Sequence, residues 1–171
     1  MLNFTSAYGL HLQTQLKAMN RNLSPLFNVR VYALIVKNNQ LLISEEQHGN
    51  IFLRKFPGGG LQFGEGILNA LHREIKEELN ANVNNASLVC VTEDFVVSFL
   101  NKEQQVIGVY YLTDIEQDLD ENYLANNIID LENGIIHFCW KSLEELTSDV
   151  FTSPIDKSAF QNLKKYLLER G

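Results

Sequence analysis

The segment from Gly58 to Leu79 constrains this chain more than any other. Three consecutive glycines, Gly58-Gly59-Gly60, open a loop that runs to Gly66, and the thirteen residues Ile67–Leu79 then contain neither glycine nor proline. At about 100° per residue, Leu68, Leu71, Ile75 and Leu79 share one narrow arc, which predicts an amphipathic helix with that stripe buried. Glu74, Glu77 and Glu78 share a neighbouring arc with the small Ala70, and Arg73 flanks them at one edge. Like charges three and four residues apart destabilise a helix, so this arrangement has a reason outside stability.

Converging carboxylates are the ligand set of a hard divalent cation such as Mg²⁺ or Mn²⁺. Glycines at the entrance let the backbone approach a ligand closely, and a helix N-terminus offers N–H groups to an anion. Carboxylates, cation and phosphate then form one unit, in which the cation neutralises the phosphate and activates water. Other phosphate motifs fail. A dinucleotide fingerprint starting at Gly58 meets Phe63 where its last glycine belongs, and no Gly-Lys-Ser/Thr triplet follows any glycine loop. The segment from Asp118 to Ile129 starts like a calcium loop but has Tyr123 at the turn glycine and Ile129 at the final acid.

With 171 residues, no repeat and no Pro/Gly-rich linker, the chain reads as one domain over residues 1–171. Leu12, Leu16 and Met19 suggest a short amphipathic helix in an N-terminal extension, 1–27. Strands are expected at Val29–Val36, Gln40–Ser44 (after an Asn38-Asn39 turn), Ile51–Phe56 and Gly134–Trp140. A long hairpin is expected from Leu88–Leu100 and Val106–Ile115, followed by an acidic loop over 116–133. Ser142 is expected to cap a short helix through Leu146. Ser153-Pro154-Ile155-Asp156 starts a last helix that presents Ile155, Ala159, Leu163 and Tyr166 to the core. Strands with helices between and after them indicate an α/β or α+β layered domain.

The formal net charge is -7, and a chain this acidic is a poor partner for a nucleic-acid backbone. Cys90 and Cys139 are too few for a disulfide scaffold or zinc site and are expected to be reduced, buried thiols. No signal peptide or membrane-spanning run is visible, which gives the expectation of a cytoplasmic protein with no membrane partner.

Gly59, Glu65 and then Arg73-Glu74-Ile75-Lys76-Glu77-Glu78-Leu79 stand at the spacing of a Nudix box over residues 59–81. The chain resembles the Nudix hydrolases here, and the Phe56-Pro57-Gly58-Gly59 approach and the His137–Leu146 run agree over most of 29–168. This resemblance implies an α/β/α sandwich around a mixed β-sheet. The box has departures: Asn80 replaces a usual glycine, Gln62 a frequent Glu, and Gly66 a common Ser or Thr cap. Asparagine is the next-best residue in the left-handed conformation that ends a helix, and none of the three changes removes a carboxylate ligand.

Carried over, the resemblance implies that Glu74, Glu77 and Glu78 hold Mg²⁺ or Mn²⁺ with the Gly59 carbonyl. Arg73 would orient the cluster, and Glu65, Gly58 and Gly60 would support the loop. The implied reaction is attack of water on phosphorus in the diphosphate linkage of a nucleoside diphosphate derivative, whether nucleotide, nucleotide sugar or dinucleotide. Glu74 is the first choice of general base, with Glu121 and Glu132 as alternatives from the later loop. Arg30, Arg54 and Lys55 are candidates to meet phosphates, and Phe52, Phe63 and Phe99 to stack on a base; His48 and His137 are read as incidental.

The signature residues of the ADP-ribose and dinucleoside polyphosphate subfamilies are absent, with Val96-Val97-Ser98-Phe99 in that neighbourhood. The alternative reading is a nucleotide-sensing Nudix module without significant turnover; isomerisation of an isoprenoid diphosphate lacks its extra catalytic residues. Exposed sheet edges leave room for a homodimer. Seven acids lie in 114–132 with no Lys or Arg, and the remaining acids and bases balance. The resemblance places that loop near the mouth of the site.

Overall fold

The computed structural model describes residues 27–132 and 134–170, so the expected helix around Leu12–Met19 lies outside the described residues. In chain order the elements are β1 (Phe27–Leu34), β2 (Val36–Lys37), β3 (Gln40–His48), β4 (Ile51–Lys55), β5 (Gly58–Gly60), α1 (Ile67–Leu79), β6 (Val83–Val91), β7 (Gln105–Ile115), α2 (Glu121–Asn126), β8 (Ile129–Leu131), β9 (Gly134–Ser142) and α3 (Pro154–Leu168), with a 3-10 turn at Ser148–Val150 before α3. One sheet has the order β5-β1-β7-β6, with β1 and β7 parallel and the other pairs antiparallel. The second has the order β2-β3-β9-β8, with β4 also on β3.

Strand alternation explains the sandwich. Val31, Ala33 and Ile35 face the core beneath α1, with Ala70, Leu71, Ile75 and Leu79. Tyr32 and Leu34 face the opposite core with Phe56, Tyr110, Phe151, Ile155, Phe160 and Leu163, covered by α3. The period of two splits β1 between two cores, each sealed by a helix. This is the expected α/β/α arrangement around a mixed β-sheet.

Several local expectations change. Leu68 is exposed, and Ala70 takes its place in the buried face of α1. The small Ala70 lets the helix approach the sheet, so the buried arc runs from Ala70 to Leu79 and takes Glu74 and Glu78 inside it. The hairpin strands are Val83–Val91 and Gln105–Ile115; Thr92–Gln104 leaves the regular ladder after a register shift at Leu88/Cys90. The acidic loop contains α2, capped by Asp120, whose side chain accepts from Tyr123 N, and the strand β8. The helix expected from Ser142 through Leu146 is not formed; β9 ends there in a turn that buries Leu143 and Leu146. In α3, Phe160 is buried and Tyr166 only partly so, and Ser153 makes no side-chain cap. Cys90 and Cys139 are free but only half-buried. Among the described residues, no helix is long and apolar enough to cross a membrane.

Candidate active site

The site is built where β5 lies against β1, with Arg30 opposite Gly60, Val31 opposite Gly59 and Tyr32 opposite Gly58. Gly58 has φ +132°, and a Cβ there would stand 2.2 Å from the Val31 carbonyl oxygen. At Gly59 a Cβ would fall 2.3 Å from the Glu74 carboxylate. The glycines therefore admit α1 and its acids directly onto the strand. Asn80 ends α1 with φ 48°, the left-handed conformation expected for it.

Arg73 organises the loop. Its Nη2 donates to Glu65 Oε1 at 2.6 Å and to the Gly60 carbonyl at 2.9 Å, and its Nε to Glu65 Oε2 at 3.1 Å. Its Nη1 reaches Glu74 Oε1 at 2.7 Å and Glu77 Oε2 at 3.1 Å. Glu65 Oε1 also accepts from Gln62 N at 2.7 Å, closing the loop on itself. Hydrogen bonds from Arg73 and Gln62 hold the Glu65 carboxyl below its usual range. Glu78 Oε2 accepts from Gly58 N at 2.7 Å. Burial pushes the Glu78 carboxyl up to about 7, against Lys55 and the Gly58 hydrogen bond and with Glu46 and Glu74 adding to the rise.

A divalent cation can be tested against this donor set. Among the described residues, no three His, Cys, Asp or Glu side chains already converge as a closed ligand group. Arg73 bridges Glu74 and Glu77, Glu77 is turned to solvent, and Glu78 is tied to Gly58. The donors are nevertheless all carboxylate and carbonyl oxygens around a wall stripped of side chains, which suits a hard cation.

A cavity of about 460 Å³ lies beside this loop. Its lining includes Arg30, Tyr32, Glu46, His48, Arg54 and Lys55, and also Asn28, Phe99, Asn101, Gln104 and Asp156. All three candidate cations therefore face the cavity, each already engaged. Arg30 Nε donates to Tyr32 Oη at 2.7 Å, Arg54 pairs with Glu45 at 2.6 Å and lies over the Phe52 ring, and Lys55 pairs with Glu46 at 2.8 Å. Of the candidate aromatics, Phe99 lines the cavity, whereas Phe52 and Phe63 are exposed and outside its lining. Glu121 and Glu132 are exposed in α2 and the β8–β9 turn, and neither bonds to the box.

Sequence reasoning missed two residues of the cavity wall. His48, read as incidental, lines the cavity with its Nε2 2.9 Å from Glu46 Oε2. Asp156, read as a first-turn acid, is 2% exposed and accepts from Tyr110 Oη at 2.9 Å. Its position within the Ile155–Ala159–Phe160–Leu163 stripe was the available signal. The acidic segment divides. Its later part lies against the box: Asn127 Nδ2 donates to the Glu78 carbonyl at 2.9 Å, Tyr123 Oη donates to the Leu79 carbonyl at 2.8 Å, and β8 pairs with β9 up to Ile136, which lines the cavity. Asp114, Glu116 and Asp118 instead lie at or beyond the end of β7 remote from Val106, which lines the cavity. There Asp118 pairs with Lys37 and Glu116 accepts from Asn82.

A NUDIX domain model matches residues 26–163. The chain belongs to the Nudix family. The Nudix domain makes it a pyrophosphohydrolase, and the family generally uses divalent metals. Comparison with curated protein sequences gives no match. Similar solved structures include a NUDIX hydrolase from Nitrosomonas europaea, with 21% identity, 81% of this chain and 89% of that one covered, and a TM-score of 0.63. A MutT NUDIX hydrolase from Burkholderia pseudomallei has 19% identity, 80% and 98% coverage and a TM-score of 0.62. The E. coli ORF135 protein has 17% identity, 84% and 93% coverage and a TM-score of 0.62. At these identities the likeness extends to the Nudix fold alone.

Proposed function

We propose that this Nudix domain is a Mg²⁺- or Mn²⁺-dependent hydrolase that cleaves the diphosphate linkage of a nucleoside diphosphate derivative by attack of water on phosphorus. The observation that carries this reading is the shared wall: Arg30, Glu46 and Lys55 line the cavity, Arg30 stands opposite Gly60, and Lys55 Nζ donates to the Gly58 carbonyl at 3.2 Å. A nucleoside in the cavity would thus bring its diphosphate to the glycine loop. Tyr32 and Phe99 offer apolar faces, and Asn28, Asn101 and Gln104 offer amides, as a base and ribose require.

Glu74, Glu77 and Glu78, with the Gly59 carbonyl, would hold the cation, whose charge would offset that of the diphosphate. Glu74, pressed against Gly59 and hydrogen-bonded by Arg73, is the proposed base that takes the proton of the attacking water. Arg73 keeps that carboxylate and the Gly60 carbonyl in fixed relation. Arg30 and Arg54 are the proposed phosphate contacts.

A panel of nucleoside triphosphates, nucleotide sugars and dinucleotides, assayed with Mg²⁺ and with Mn²⁺ for released monophosphate or phosphate, tests the reading. Glu77→Gln and Glu78→Gln should each abolish metal-dependent release while leaving the circular dichroism spectrum intact. Unchanged turnover in both variants would sink the proposal. Silence of the wild type across the panel, with nucleotide binding retained, would favour the sensing module instead.

A further inference from the structure

Lys55 closes β4 as a nearly buried ammonium, 7% exposed, and its partner Glu46 is 3% exposed. Buried ion pairs are poor stabilising devices, because desolvation consumes most of the attraction and an apolar pair of similar volume often serves as well. This pair is nevertheless elaborated. Glu46 Oε1 accepts from Lys55 at 2.8 Å and from Ser44 Oγ at 3.0 Å, and its Oε2 is engaged by His48. Burial alone would raise the Glu46 carboxyl, but Lys55 and these hydrogen bonds outweigh it and keep it below its usual range.

The ammonium has a second task. Its Nζ donates at 3.2 Å to the carbonyl of Gly58, and the N–H of that same residue donates at 2.7 Å to Glu78 Oε2. Gly58 is therefore gripped on one side by Lys55 and itself grips Glu78 on the other. It has no side chain to hold its orientation and sits at a φ of +132° that other residues avoid. Its carbonyl also belongs to the peptide that leads into Gly59.

We propose that Lys55 is a positioning residue for the reaction. It holds the Gly58 carbonyl so that the Gly58 N–H fixes the Glu78 carboxylate beside the glycine loop, and Glu46 in turn holds Lys55. This rests on the proposed role of Glu78, and it reassigns Lys55 from a phosphate contact to a support of the loop. With Nζ on Glu46 and Gly58 and lying 5.5 Å from the centre of the Tyr32 ring, the ammonium is committed to protein groups.

The test uses the full chain, Mn²⁺ alone as a binding probe, and the panel member that the wild type hydrolyses fastest. Lys55→Met should lower kcat about 10–100-fold and weaken Mn²⁺ binding by a similar factor, with KM changed less than about threefold. Because Lys55→Met strands the Glu46 charge and invites unfolding, a second variant, Glu46→Gln/Lys55→Met, removes both charges and keeps an acceptor for Ser44. The double variant should melt near the wild-type temperature and still show the low kcat and weak Mn²⁺ binding. A rise in KM with kcat unchanged would make Lys55 a substrate contact and overturn the proposal. Recovery of wild-type kcat in the double variant would show a structural role only. A wild type that neither binds Mn²⁺ nor turns over any panel member would defeat the reading of the site itself, and the positioning role with it; an active wild type with unaltered variants defeats only the latter.

Discussion

Tyr110 on β7 donates a 2.9 Å hydrogen bond to Asp156 in the first turn of α3, inside the core that separates helix from sheet. The tyrosine ring stacks on Tyr32 with 5.1 Å between centroids and meets Phe56 edge-on at 5.9 Å. The carboxyl is therefore fixed at one oxygen in a largely apolar setting, on the wall of the cavity. Burial pushes it up to about 7, against the Tyr110 hydrogen bond and the charges of Lys55 and Arg30.

That shift makes stability fall with rising pH. Below the ordinary value of 3.8 the carboxyl is protonated whether folded or unfolded. Between there and about 7 the unfolded chain releases the proton and the folded chain keeps it, so folding is opposed progressively, by at most about 4 kcal/mol. Asp156→Asn retains an acceptor for Tyr110 and removes the titration. Its melting temperature should exceed that of the wild type at pH 8 by several degrees, with the difference shrinking toward pH 4. A difference that does not vary with pH would refute the assignment.

Arg73 serves four acceptor residues from one planar guanidinium: Glu65, Gly60, Glu74 and Glu77. A lysine carries the charge but not the fork. Arg73→Lys should therefore keep the fold and lose about 10–100-fold in metal affinity and turnover, the usual penalty for a lost orienting partner. Isothermal titration with Mn²⁺ and a kinetic assay check this together. Wild-type behaviour in the lysine variant would mean that charge alone suffices.

What the sequence disclosed follows from which signals are local. Helix α1 was legible to the residue because its apolar period and glycine boundary are local, and so was the turn at Asn38 and Asn39, both of which have positive φ. That Arg73, Glu74 and Glu78 stand together beside the glycine loop was legible because one helix carries them. The Glu46–Lys55–Gly58 linkage was not, since it joins three strands, β3, β4 and β5, whose pairing no single segment specifies. Asp156 resembled a dipole-compensating acid, because Tyr110, which turns it inward, lies 46 residues away in the chain. The polar turn from Asn101 was legible, but the Thr92–Leu100 part of the excursion that brings Phe99 to the cavity was hidden in residues whose composition suits a strand.

Asn80 offers a test on stability alone. It holds φ 48° as the residue that ends α1, and its N–H donates to the Lys76 carbonyl at 3.1 Å. Glycine adopts this conformation without strain, whereas alanine pays about 1 kcal/mol for its Cβ. Asn80→Gly should leave stability unchanged or raise it by a few tenths of a kcal/mol, and Asn80→Ala should lower it by about 1 kcal/mol. Urea denaturation resolves the two. An alanine variant as stable as the glycine variant would contradict the left-handed assignment.

Gly58 and Gly59 are neighbours with opposite consequences. An alanine at Gly58 would carry positive φ and press its methyl against the Val31 backbone at 2.2 Å, where neither group can yield without disturbing the β1–β5 pairing. Gly58→Ala should cost several kcal/mol, on the order of the largest single-site losses, and leave little folded protein. At Gly59 the backbone is ordinary, and the obstacle is the carboxylate of Glu74, the far end of a flexible side chain. Gly59→Ala should therefore melt within a few degrees of the wild type while displacing Glu74 from the loop and lowering turnover at least tenfold. Melting curves and steady-state rates measured on the same preparations separate the two effects. A Gly59→Ala variant with wild-type turnover would show that Glu74 need not lie against the loop for the reaction, and its proposed role as base would fail.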